Sequence, residues 1–134
     1  MDALVLLAKN IAYNAHSGQY RRDGTPYFMH PFRVSDKFTK SDFKIVALLH
    51  DVLEDTEETS VSLVNKGIPK RLVEIIKILS KGNYGDYVQY LKAIKQNYIA
   101  LEIKKIDILD NLSDNPTQKQ ILKYSKALLF LFEE

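Results

Sequence analysis

The chain has 134 residues, of which 46% are apolar and 27% are charged, as is typical of a globular protein with one hydrophobic core. The absence of cysteine excludes a disulfide-stabilised scaffold, a thiol nucleophile and a cysteine-bound metal or iron–sulfur centre. The formal net charge is only +2, whereas a dedicated duplex-DNA-binding protein carries concentrated positive charge. We therefore expect no nucleic-acid partner.

Apolar residues recur at helical spacing along nearly the whole chain. The first interruption is a loop marked by Gly18, Gly24 and Pro26. Either Ser41 or Asp42 is suited to cap the third helix. Helices are predicted over residues 2–16, after Pro31, from about 42 into 50–56, from about Thr59, from Pro69, over 84–96, over 98–112 and after Asn115-Pro116.

The pattern shows no alternating strand, internal repeat, low-complexity tract or long linker. We therefore predict one all-α domain of about six to eight helices over residues 1–134. No segment approaches the roughly 18 apolar residues of a membrane-spanning helix. The acidic residue at position 2 and the short apolar run after it are unlike a signal peptide, so we expect a cytoplasmic protein without a membrane partner.

Polar residues break the helical pattern first at His50-Asp51, which ends an apolar helix. Helical geometry stacks Glu54 over His50 and Asp55 over Asp51. The stretch 51–58 holds five acids, which repel one another and oppose the dipole of a helix C-terminus. A divalent cation is the simplest group that offsets this charge. A solvated helix end is the alternative explanation.

A second polar stripe lies in the isoleucine-rich segment near the C-terminus. Asp107, Asp110, Asn111 and Asp114 follow helical spacing and share one face, whereas Lys104 lies off that face. An amphipathic helix with a wetted face accounts for this pattern. Because the stripe is acidic and carries an amide, it is also suited to face a binding site.

Arginine is concentrated in the first loop. Three of the four arginines, Arg21, Arg22 and Arg33, lie in or just after it, although lysine is far more common in the chain. The planar guanidinium donates two parallel hydrogen bonds to phosphate and stacks on nucleobases. The alternative is that Arg21 pairs with a structural acid, either Asp23 or one in the stretch 51–58.

Two imidazoles and two carboxylates form a candidate metal site: His30, His50, Asp51 and Asp107. This ligand set suits Mn²⁺, Fe²⁺ or Zn²⁺ in an open site that keeps a position for water. Neighbouring residues on a helix point about 100° apart, so His50 and Asp51 share one ion only at the helix edge. The other two ligands must then arrive from distant parts of the chain.

Three ordered sequence blocks resemble the hydrolase domain of RelA/SpoT-type alarmone enzymes. The first is His16-x-Gly18-Gln19-x-Arg21-x-x-Gly24-x-Pro26-Tyr27-x-x-His30-Pro31. The second is Ala47-Leu48-Leu49-His50-Asp51-Val52-x-Glu54-Asp55-Thr56. The third is Lys104-x-x-Asp107-x-x-x-Asn111, and together the blocks cover residues 16–111.

This resemblance implies an all-helical HD domain that holds Mn²⁺ through the four candidate ligands. It also implies that Glu54 and Asp55 serve the attacking water. Nucleotide contacts are expected from Arg21, Arg22 and Asn111. Lys81, which follows the helix beginning at Pro69, is added as a phosphate contact from its position alone.

The family reaction removes the 3′-pyrophosphate of (p)ppGpp, giving GDP or GTP and pyrophosphate, so the expected partner is a small nucleotide. Three positions depart from the family pattern: Ile108 where arginine is usual, Asp110 where histidine or tyrosine is common, and Asp114 where threonine is frequent. They leave open another nucleotide, such as ppApp, NADPH or a deoxynucleotide. A catalytically silent, metal-bound nucleotide sensor is the remaining alternative.

Overall fold

The computed structural model describes residues 2–133, and every regular element in that range is helical. The all-α prediction is confirmed. The helices are α1 (Ala3–Ala15), α2 (Met29–Asp36), α3 (Ser41–Leu49), α4 (Val52–Asp55), α5 (Ser60–Asn65), α6 (Lys70–Ile78), α7 (Tyr87–Lys95), α8 (Tyr98–Leu112) and α9 (Gln118–Phe132). A single 3₁₀ turn at Lys81–Asn83 precedes α7.

Helix boundaries differ from the sequence prediction in α2, α3 and α7, the last of which was predicted from residue 84 but begins at Tyr87. The predicted third helix ends at His50, and the chain restarts in the single turn α4 after Asp51. Neither predicted residue caps α3, because Lys40 occupies the N-cap position without a side-chain hydrogen bond. The second helix begins two residues before Pro31, which its first turn accommodates because amides there need no partner within the helix.

Helix α3 lies at the centre of the fold. All five residues Ile45–Leu49 are buried, and α3 packs against α1, α2, α6 and α8. The uniformly apolar segment Ile45–Leu49 explains this position, since a stretch of helix without a polar face is stable only when neighbours cover it on every side. The polar pair His50-Asp51 follows immediately, so it emerges from the core at a fixed point.

The loop between α1 and α2 is closed by backbone hydrogen bonds. The amide of Arg21 donates to the carbonyl of Thr25 over 2.8 Å, and the amide of Tyr27 donates to that of Gln19 over 2.8 Å. Gly24 has a φ of 88°, a left-handed conformation that side chains rarely adopt. This closed loop places Arg21 and Arg22 beside α8.

The region that the structure describes contains no helix with both the length and the hydropathy required to cross a bilayer.

Candidate active site

The structure brings the four predicted metal ligands together. His30 lies in the first turn of α2, His50 and Asp51 lie between α3 and α4, and Asp107 lies in the middle of α8. One donor atom from each residue falls within 4.8 Å of the others. Ligands from three separate parts of the chain thus converge at the end of the central helix.

Both imidazoles direct Nε2 into this cluster. His30 Nε2 lies 2.8 Å from Asp107 Oδ1, and His50 Nε2 lies 3.0 Å from Asp51 Oδ2. The Nδ1 atom of His50 lies 2.5 Å from the carbonyl oxygen of Ala47, which only accepts, so Nδ1 must donate. A histidine that donates from one ring nitrogen offers the other to a metal.

Asp107 is the most enclosed carboxylate of the cluster. Lys104 Nζ donates to its Oδ2 over 2.8 Å, and the amide of Asn111 donates to its Oδ1 over 3.2 Å. Burial opposes the ionised form of Asp107, but the positive charge of Lys104 outweighs burial and holds the pKa of Asp107 well below its usual range. The carboxylate is therefore kept as an anionic ligand.

Lys104 contacts the candidate metal cluster, which its predicted position did not indicate. It was expected to lie off the polar face of α8, yet it is buried and reaches Asp107 one turn later. The spacing of three residues between Lys104 and Asp107 in the third sequence block was the available signal.

Asp51 and Asp107 of the metal-ligand cluster line a cleft of about 310 Å³, and the two histidines of the cluster are buried beside them. Both candidate water-activating acids lie on its wall, and Tyr27 donates from its hydroxyl to Asp51 Oδ2 over 2.7 Å. Other lining side chains include Tyr20, Arg21, Arg22, Lys81, Tyr90, Lys104, Asn111, Asp114 and Tyr124. Of the four lining tyrosines, Tyr20 and Tyr27 come from the first loop, Tyr90 from α7 and Tyr124 from α9, so spacing along the chain could not have grouped them.

Glu54 and Asp55 occupy the short helix α4, directly after the metal ligand Asp51. A carboxylate oxygen of Glu54 accepts a hydrogen bond from the backbone amide of Lys81. Partial burial and the nearby charges of Asp51 and Glu54 raise the pKa of Asp55 to about 6. A carboxylate with such a pKa is suited to exchange a proton with water near neutral pH.

Arg21 is buried between α8 and its own loop rather than exposed at the rim. Its Nη1 donates to Asp110 over 2.7 Å, its Nε to Asp114 over 3.2 Å and its Nη2 to Asn111 over 3.2 Å. Arg21 does pair with structural acids, as the alternative interpretation predicted. The acids are Asp110 and Asp114, however, and not Asp23 or an acid of the stretch 51–58. A nucleotide contact from Arg21 stays a prediction, and its donors are already engaged.

Two of the three departures from the family pattern, Asp110 and Asp114, lie beside one buried arginine. Asp110 and Asp114 both pair with Arg21, and Asp110 also receives a two-pronged contact from Arg33. Ile108, by contrast, is fully buried in the apolar core. The two acids thus serve the packing of the first loop onto α8.

The other predicted nucleotide contacts lie at the mouth of the cleft. Arg22 is exposed and uses only its Nε to bind the carbonyl of Asp114, over 3.2 Å. Lys81 is exposed at the start of the 3₁₀ turn. Asn111 lies deeper, between Arg21 and Asp107. Their ligand roles stay predictions.

We expect Arg21→Ala to lower the free energy of unfolding by about 3 kcal/mol, because it removes the guanidinium that pairs with buried Asp114 and one of the two that pair with Asp110. Chemical denaturation measures this loss. Arg22→Ala is the matched control, since the neighbouring side chain is exposed and its removal leaves stability nearly unchanged. Equal stability of the two variants would contradict the structural role of Arg21.

Comparison with known proteins places the chain beside alarmone hydrolases, although no family model matches it. It is 29% identical, over 84% of its length, to the probable guanosine-3′,5′-bis(diphosphate) 3′-pyrophosphohydrolase of Mycoplasma pneumoniae. It is 41% identical, over 58% of its length, to the corresponding enzyme of Borreliella burgdorferi. It is also 32% identical, over 76% of its length, to the bifunctional (p)ppGpp synthase/hydrolase SpoT of Escherichia coli.

The chain spans 18%, 12% and 16% of the lengths of these three relatives, so it corresponds to only a small part of each. A similar fold occurs in a solved structure described as "A metazoan ortholog of SpoT hydrolyzes ppGpp and plays a role in starvation responses". The TM-score is 0.77 at 23% identity, over 98% of this chain and 86% of that one. The resemblance to RelA/SpoT-type hydrolases, inferred from three sequence blocks, is confirmed.

Proposed function

We propose that this RelA/SpoT-type chain is a metal-dependent phosphohydrolase that removes the 3′-pyrophosphate of (p)ppGpp. The observation that carries the proposal is the convergence of His30, His50, Asp51 and Asp107 in a cluster whose two carboxylates line a cleft. Relatives named for this reaction support the choice of substrate. The expected partner is accordingly a guanine nucleotide.

The ligand set fits a divalent transition metal. Two neutral imidazole nitrogens and two carboxylates match the preferences of Mn²⁺, which we propose as the metal, with Fe²⁺ and Zn²⁺ as alternatives. When bound, such an ion lowers the pKa of its water, so that hydroxide is present near neutral pH. Because burial and hydrogen bonds already fix the side chains, little rearrangement is needed to form the site.

Glu54 and Asp55 are suited to handle the proton of the attacking water. They lie on the cleft wall, and the raised pKa of Asp55 lets it hold or release a proton near neutrality. Water attacks the phosphorus attached to the 3′-oxygen, and the bond between this phosphorus and the 3′-oxygen breaks. One of these acids returns a proton to the leaving 3′-oxygen, which gives GDP or GTP and pyrophosphate.

Positive side chains in the cleft match the charge of the phosphates. Lys104 lies beside the metal ligands, whereas Arg22 and Lys81 lie near the mouth. We propose that Arg22 and Lys81 hold the nucleotide and its phosphates, and that the amide of Asn111 binds the ribose. Arginine is suited to this task because its planar fork both stacks on a base and pairs with phosphate.

We expect Arg22→Ala and Lys81→Ala each to raise KM more than they lower kcat. Contacts distant from the reacting phosphorus stabilise the bound substrate and the transition state alike. Losing one hydrogen bond to a charged group corresponds to about 1.5–3 kcal/mol in kcat/KM. Steady-state kinetics on the metal-loaded variants measure both constants. An unchanged KM would remove that residue from the binding site.

A hydrolase is favoured over a silent nucleotide sensor because the complete set of four candidate ligands adjoins the cleft that both acids line. The deciding experiment incubates Mn²⁺-loaded protein with ppGpp, pppGpp, ppApp, NADPH and deoxynucleotides, and measures released phosphate and pyrophosphate. Asp51→Asn is the inactive control. Release of pyrophosphate from ppGpp supports the proposal. Turnover of a different nucleotide would make that nucleotide the substrate instead. Binding of a nucleotide without turnover would show that the protein is a sensor.

A further inference from the structure

Asp110 lies on the opposite side of the His30 ring from the metal-ligand cluster. Its Oδ2 is 2.6 Å from His30 Nδ1, while His30 Nε2 is 2.8 Å from Asp107 Oδ1. The imidazole is fully buried, so two carboxylates one turn apart on α8 hold both of its nitrogens. The ring is therefore fixed at both ends.

Two arginines determine which partner carries the proton between Asp110 and His30. Arg33 donates from Nε to Oδ1 over 2.9 Å and from Nη2 to Oδ2 over 3.1 Å, and Arg21 donates from Nη1 to Oδ2 over 2.7 Å. A guanidinium has no acceptor, so Asp110 meets these groups as an ionised, acceptor-only carboxylate. The hydrogen atom shared with His30 therefore belongs to Nδ1 of the imidazole.

We propose that Asp110 is the positioning residue for the metal ligand His30. By accepting from Nδ1–H, it fixes the plane of the ring and leaves the lone pair of Nε2 directed at Asp51 and Asp107. Asp110 itself is outside the group of potential ligands. This inference rests on the proposed metal site, and it assigns a task to a position where the resembled family commonly has histidine or tyrosine.

The two histidine ligands differ in how they are held. His50 is oriented by the backbone carbonyl of Ala47, which remains when any side chain is replaced. His30 is oriented by a side chain alone, within the described contacts. Replacing Asp110 therefore removes the contact that orients His30. No replacement of a side chain removes the backbone contact that orients His50.

The test compares Mn²⁺ affinity, measured by titration calorimetry, in the wild type, Asp110→Ala and Asp114→Ala. Asp114, two residues beyond the end of α8, is the matched control because it also pairs with Arg21 but makes none of the described contacts with His30. We expect Asp110→Ala to weaken Mn²⁺ binding roughly 10- to 100-fold, as loss of a carboxylate that orients a ligand histidine does. Asp114→Ala retains the wild-type affinity. Equal weakening in both variants would show a general structural effect and overturn the proposal.

A second measurement applies even where Asp110→Ala fails to fold. The ¹⁵N resonances of His30 in the Zn²⁺-loaded wild type report which ring nitrogen is protonated. A protonated Nδ1 supports the proposal, and a bare Nδ1 overturns it. If the wild type binds no metal, the proposed function fails. The same spectrum of the metal-free protein, at a pH where the imidazole is neutral, then still decides the role of Asp110.

Discussion

Asp107→Asn is expected to abolish metal binding and to lower the free energy of unfolding by about 3–5 kcal/mol, the usual cost of breaking a buried ion pair from one side. The substitution removes an anionic ligand and leaves the ammonium of Lys104 buried without its counter-charge. Metal analysis of the purified protein and chemical denaturation measure the two losses separately.

The double variant Lys104→Met/Asp107→Asn separates the two effects. Methionine fills a similar volume without a charge, so we expect it to recover most of the lost stability, whereas metal binding stays absent. If the double variant were as unstable as Asp107→Asn alone, the destabilisation would not come from the unpaired lysine. If Asp107→Asn retained the metal at full occupancy, Asp107 would not be a ligand.

Glu54→Gln is expected to lower kcat by about 100-fold or more while the metal content stays at the wild-type level. Glutamine keeps the shape of the side chain but cannot take a proton from water, and general acid–base groups typically contribute factors of this size. Glu54 is also outside the group of four potential metal ligands, so the metal is expected to stay when Glu54 is replaced. Single-turnover kinetics and metal analysis on one preparation give both quantities.

Glu57→Gln serves as the control for this substitution. Glu57 belongs to the same acidic stretch, but it is exposed and lies outside the cleft lining. We expect its kcat to match that of the wild type. Loss of metal from Glu54→Gln with an intact fold would make Glu54 a ligand, and an unchanged kcat would leave proton transfer to Asp55.

The helices and the grouping of His30, His50, Asp51 and Asp107 were predictable because their signals lie in local spacing or in residue type. Helical spacing repeats within each segment, and the chain contains only three histidines, all of which fall in recognisable blocks. An apolar helix that ends in His50-Asp51 already places a polar pair at the edge of the core. For such features, few competing arrangements satisfy both the pattern and the chemistry.

The environment of Arg21 was not predictable in the same way. Its partners Asp110 and Asp114 lie about 90 residues away in the chain, and charge alone gives no preference for them over Asp23 or the acids at 51–58. Only the packing of the first loop onto α8 decides the pairing. The prediction that Lys104 lies off the polar face of α8 was wrong for a related reason, since its long side chain reaches along the helix to Asp107.

The burial of Ile45–Leu49 in α3 makes the stability of the cleft depend on the stability of the whole molecule. Amides of Ile45–Leu49 are shielded by four neighbouring helices, so their exchange with solvent requires unfolding of the entire core. His50 and Asp51 are anchored to the end of this segment and cannot loosen independently of it. On heating, catalytic activity is therefore expected to persist up to the melting transition and to disappear together with it.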